Sequence, residues 1–168
     1  MQSMNHSIAQ CTCGSVEIDV AGKPILGAAC YCDDCQEGAR QLEALPDAPP
    51  VMGPDGGTDL LLFRKDRVQF SKGADLLRDY RIKDGSPTRR VVATCCNSAM
   101  FLDFQKGHWF SVYRARFGND APPIQMRIQT RYRSENNPVS SGVPEYKSYP
   151  LKFITRLMAA RLGMLLGR

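Results

Sequence analysis

The chain alternates apolar and polar positions in short stretches broken by turn residues. Ser15–Val20 reads S-V-E-I-D-V, which sets Val16, Ile18 and Val20 on one face of a strand. Ile25–Cys30 is a second extended run, opened by Gly22 and Pro24. Further strands are expected at Leu60–Phe63, Arg67–Phe70, Leu77–Ile82, Arg90–Thr94, Met100–Phe104 and Trp109–Tyr113. Ser71–Lys72–Gly73 and Asp84–Gly85–Ser86–Pro87 supply turns between them, and no internal repeat is visible. Between the second and third strands, residues 44–57 carry four prolines and three glycines, the signature of a long surface loop. Many short strands at this spacing predict a mainly β fold of antiparallel sheets.

The end of the chain changes period. From Pro150 onward Phe153, Leu157 and Met164 fall on one helical face, widened by Ile154, Met158, Leu162 and Leu165. Lys152 and Arg156 lie opposite, while Arg161 interrupts the apolar arc. Residues 151–168 therefore read as a C-terminal amphipathic helix. Such a helix packs on its own sheet, on a second copy of the chain, or on an anionic membrane surface with Arg161 reaching outward. The expected organisation is a short tail at 1–7, one domain over 8–150, and this helix.

A length of 168 residues with 43% apolar and 23% charged positions suits one globular domain. The polar N-terminus lacks the apolar run of a secretory signal, and a cytoplasmic protein is expected. The formal charge of +5 carries no clustered basic run or RNP-type aromatic motif, so no nucleic-acid partner is expected.

Seven cysteines change the picture, at positions 11, 13, 30, 32, 35, 95 and 96. Clustered thiols in a reducing compartment point to metal or redox chemistry rather than a disulfide framework. Only His6 and His108 offer imidazole, and both read as surface or turn residues. Cys30–Tyr31–Cys32–Asp33–Asp34–Cys35 puts three sulfurs on one short piece of backbone, where they can clamp one face of a metal. Cys11–Thr12–Cys13 and the Cys95–Cys96 pair must come together from far apart, as a closing site would. The division is four plus three, which matches a closed structural zinc site and a catalytic one with an open position. Thiolate donors favour zinc over magnesium or calcium. With seven thiols deprotonated around two zinc ions the net charge falls to about +2. Cys95 also reads as a buried apolar filler, and the vicinal Cys95–Cys96 pair as a redox couple.

These residues resemble a known family. Cys11–Thr12–Cys13–Gly14–Ser15–Val16, Cys30–Tyr31–Cys32–Asp33–Asp34–Cys35 and Cys96–Asn97–Ser98 are similar to the three motifs of the glutathione-dependent formaldehyde-activating enzymes. That family includes the centromere protein V-like proteins. The resemblance spans roughly residues 8–115 and implies a β-tent fold of antiparallel strands with two zinc sites. It implies a structural site at Cys11, Cys13 and Cys96. The family's other late cysteine falls on Ala93, and Cys95, two residues further on, is the candidate to substitute as fourth ligand. It implies that Cys30, Cys32 and Cys35 hold the second, activity-linked zinc. Tyr31 stands where the family often has His, and Asn97 where it has Gly. The implied activity is that of a carbon–sulfur lyase, an S-(hydroxymethyl)glutathione synthase-like protein that adds glutathione or a similar thiol to a small aldehyde such as formaldehyde. Arg89 and Arg90 are candidates to meet the acidic tripeptide. The alternatives are a non-catalytic zinc module or thiol carrier, and a thiol redox sensor.

Overall fold

A computed structural model describes residues 5–137 and 142–168. Among these residues it is mainly β, with two sheets and two α-helices. Strands β1 (His6–Gln10), β2 (Glu17–Ala21) and β5 (Val68–Lys72) form a 3-stranded antiparallel sheet in the order β1-β2-β5. The remaining strands are β3 (Leu26–Cys30), β4 (Thr58–Arg64), β6 (Leu77–Tyr80), β7 (Thr88–Ala93), β8 (Ser98–Phe104), β9 (Trp109–Tyr113) and β10 (Met126–Ile128). They make a 7-stranded sheet ordered β10-β3-β4-β9-β8-β7-β6, antiparallel except where β10 runs parallel to β3.

The large sheet is buried on both faces, and β4 shows how. Its apolar run has no polar alternation, because Leu61 and Phe63 enter the core shared with β1 and β2, whereas Leu60 and Leu62 enter a second core on the other side. The first core also holds Val16, Ile18, Val20, Val91 and Met100; the second holds Leu26, Val92, Met126 and Ile128. Fully burying a Leu-sized side chain stabilises by about 1.5–3 kcal/mol, so the doubly covered strand anchors the molecule.

Two helices cover the second core. Helix α1 (Asp33–Glu43) buries Cys35, Gly38, Ala39 and Leu42, a helical spacing, with Asp33 and Asp34 in the first turn and Arg40 in the last. The sequence reading places no helix there. The structure makes the cysteine motif a strand-to-helix junction rather than a turn. Helix α2 (Leu151–Leu165) buries Phe153 and Leu157 in the same core. It therefore packs on its own molecule, and neither the structure nor the comparisons support the membrane or second-copy alternatives. Among the described residues, no helix is long and apolar enough to cross a membrane. Residues 44–57 form neither strand nor helix.

Candidate metal centres and the adjoining cavity

The first cluster joins two tight turns. Cys11 follows β1, and the chain turns at Gly14 (φ 76) with the Gly14 amide donating to the Cys11 carbonyl at 3.0 Å. Cys95 and Cys96 sit in the β7–β8 turn, where Asn97 takes the left-handed conformation (φ 50) that the family's glycine would adopt freely. Ser98 ties the turns together. Its hydroxyl accepts from the Thr12 amide at 3.0 Å, pairs with the Thr12 hydroxyl at 2.6 Å and lies 3.1 Å from the Cys96 sulfur. The Val16 amide donates to the Cys11 sulfur at 3.2 Å. The four sulfurs of Cys11, Cys13, Cys95 and Cys96 all lie within 4.8 Å of one another. Ala93, two residues before Cys95, is a buried strand residue.

The second cluster brings Cys30, Cys32 and Cys35 within the same 4.8 Å limit. Cys30 ends β3, Cys32 caps α1 by accepting the Cys35 amide at 3.4 Å, and Cys35 lies in the first turn. The amide dipoles at the start of α1 favour thiolate there. Hydrogen bonds from Cys30 and then Cys35 pull the Cys32 thiol down to about 3, helped by the Arg90 charge. In return Cys30 is pushed up to about 12 by its bond to Cys32, and Cys35 is raised by Cys30 and Cys32.

Both clusters fit a metal by their own dimensions. Zinc–sulfur bonds of about 2.3 Å in a tetrahedron set sulfurs about 3.8 Å apart. The separations are 3.6 Å for Cys11–Cys13, 3.8 Å for Cys11–Cys95, 3.9 Å for Cys95–Cys96 and 3.4 Å for Cys30–Cys32. All-thiol donor sets suit a soft or borderline ion such as zinc. The first set is complete at four donors; among the described residues the second is one short.

The incomplete set opens into a cavity of about 520 Å³. Leu60 and Leu62 of β4, Trp109 of β9 and Phe153 of α2 give it an apolar lining. One buried charge enters it. Arg90, 3% exposed on β7, donates from Nη2 to the Asp34 carbonyl at 2.6 Å, while its Nη1 is buried with no hydrogen-bond partner among the described residues. The guanidinium lies against Gly38 so closely that a Cβ there would stand 2.0 Å from Arg90 Nε.

Arg89, the other predicted glutathione contact, is placed apart from Arg90 because successive strand residues face opposite ways. It donates to Asp103 at 2.9 Å and to Asp79 at 2.8 Å, and does not line this cavity. Tyr31 also turns away from the sulfurs. It is fully buried, donates to Asp55 at 2.5 Å and accepts from Arg127, and burial, with the Asp55 contact, raises its phenol to about 12. It thereby pins the loop that carries Asp55 to β10. His6 pairs with Asp19, and His108 with the Leu157 carbonyl; neither joins a cluster. The cavity walls were not singled out from sequence, although the alternation of Leu60 and Leu62 against Leu61 and Phe63 marks one of them.

Fold and site together define a mainly β protein with two cysteine clusters that could hold metal ions. The model of the glutathione-dependent formaldehyde-activating enzyme family matches residues 6–44, a stretch with the first two cysteine motifs and α1. The chain thus resembles that family, as its cysteine pattern implies. In fold it is similar to the crystal structure of a Rhodobacter sphaeroides protein, at 16% identity and a TM-score of 0.50, covering 83% of this chain and 99% of that one. No curated protein matches the sequence.

Proposed function

We propose that the protein binds two zinc ions and acts as a carbon–sulfur lyase-like enzyme, bringing glutathione or a similar thiol to a small aldehyde. The Cys11–Cys13–Cys95–Cys96 site is structural in this reading, and the Cys30–Cys32–Cys35 site is functional. One observation carries it: the three-thiol cluster, short of a fourth donor among the described residues, opens on a cavity that the buried Arg90 side chain also lines. Cys30, Cys32 and Cys35 would hold the ion, and zinc bound there would supply an open position that favours the deprotonated form of an incoming thiol.

The chain's own groups do the rest. In the addition a sulfur–carbon bond forms, the carbonyl π bond breaks, and the thiol proton ends on the former carbonyl oxygen. The Arg90 guanidinium, which lines the cavity and is held by the Asp34 carbonyl, would donate to that oxygen as charge develops, and a donor fixed by the fold needs little reorganisation. The apolar walls lower the local polarity and so strengthen the interaction. Gly38 and the Asp34 carbonyl hold the guanidinium in place.

The test is the rate of hemithioacetal formation from glutathione and ¹³C-labelled aldehyde, followed by exchange NMR on zinc-loaded protein. Acceleration over buffer that is lost in Cys32→Ser and reduced about 10²-fold in Arg90→Gln is expected. A rate equal to buffer at saturating protein would overturn the assignment.

A further inference from the structure

Resting on the functional reading of the Cys30–Cys32–Cys35 site, we infer that its carbonyl substrate is an aldehyde bearing a compact apolar group, alkyl or aryl, rather than formaldehyde. The cavity sets the scale. A water-sized group occupies about 30 Å³, so 520 Å³ has room for on the order of fifteen such groups, within the range of small-molecule sites. Formaldehyde, with two heavy atoms, would leave most of that apolar wall uncovered. Glutathione is no better a filler, since it carries two carboxylates and an ammonium.

Polar groups in the cavity are few and directional. Arg90 is the one buried charged side chain among the residues that line it, enough to orient a carbonyl oxygen and too little to match the three charged groups of glutathione. Leu60, Leu62, Leu102, Trp109 and Phe153 surround the remaining space, and Ile154 stands at its mouth on α2, 48% exposed. An aldehyde that turns its oxygen toward the Arg90 side chain directs its apolar substituent toward these side chains. The thiol then reaches the carbonyl carbon from the cysteine side. Helix α2 is therefore a specificity element.

Trp109 is the one tryptophan of the chain and lines the cavity, so occupancy can be read from its fluorescence without any turnover. Zinc-loaded full-length protein is titrated with cyclohexanecarboxaldehyde, propanal and formaldehyde. We expect a saturable change with the cyclohexyl compound, at least tenfold tighter than with propanal, and no saturation with formaldehyde. Arg90→Gln and Ile154→Glu should each weaken the cyclohexyl response at least tenfold. Ile154 is half exposed, so its replacement keeps the fold and guards against a loss caused by unfolding. Equal responses to all three aldehydes, or a cyclohexyl response unchanged in both variants, would overturn the inference. Tight binding of the cyclohexyl compound with no thiol addition would instead count against the enzymatic role and leave the binding preference intact. Accelerated thiol addition to formaldehyde without cyclohexyl binding would do the reverse.

Discussion

At the scale of single residues, Arg90 and Gly38 form one device. Glycine inside a helix costs about 1 kcal/mol relative to alanine, so its presence in α1 calls for a reason. The reason is the guanidinium that occupies the place of its missing Cβ. Gly38→Ala should destabilise by about 1–3 kcal/mol through overpacking. In an Arg90→Ala background the same change should stabilise by up to about 1 kcal/mol. Urea denaturation of the four-member cycle measures both. A Gly38→Ala change that stabilises in both backgrounds would show that the two residues do not compete for space. Sequence spacing could nominate the seven thiols as ligands because their chemistry is visible in their letters. It could not tell Arg89 from Arg90, since the choice depends on which face of β7 meets α1.

At the scale of elements, α2 is held by Phe153 and Leu157 and by the 2.8 Å contact of His108 Nε2 with the Leu157 carbonyl. Burial lowers the His108 pKa, with repulsion from Arg161, Arg64 and Lys65 adding to it. The folded state therefore takes up its proton at lower pH than the unfolded chain, whose imidazole titrates near 6.5. Wherever the unfolded state binds more protons, stability rises with pH. Stability should accordingly fall as pH drops through about 6.5, and His108→Gln should flatten that part of the profile. Denaturation midpoints of both proteins between pH 7.5 and 5.5 provide the check; parallel profiles would remove His108 from the account. The same element marks a limit of periodicity. An apolar helical face at 151–165 is legible in the letters, but what it covers is decided by the position of β9 and β4. Helix α1 was illegible for another reason: its first turn lies inside the cysteine motif, whose metal-binding pattern hides the Asp33–Asp34 start and the 35, 38, 39, 42 spacing.

At the scale of the whole molecule, the two cysteine clusters differ in what they join. Cys11 and Cys95 are 84 residues apart, and their cluster ties the β1–β2 turn of the small sheet to the β7–β8 turn of the large one. A structural zinc site contributes about 10–16 kcal/mol in small modules, comparable with the roughly 5–15 kcal/mol stability of a whole domain. Cys30, Cys32 and Cys35 lie within one strand-to-helix junction that β3 and α1 already hold by burial. Loss of the first site should therefore unfold the protein, and loss of the second should spare it. The most direct measurement is zinc per folded chain in natively purified wild type, Cys13→Ser and Cys32→Ser, with melting followed on the same samples. The account predicts two zinc ions in wild type, one in a Cys32→Ser protein that melts cooperatively, and no cooperative fold for Cys13→Ser. One zinc ion in wild type, or equal loss of metal and fold in the two variants, would contradict it.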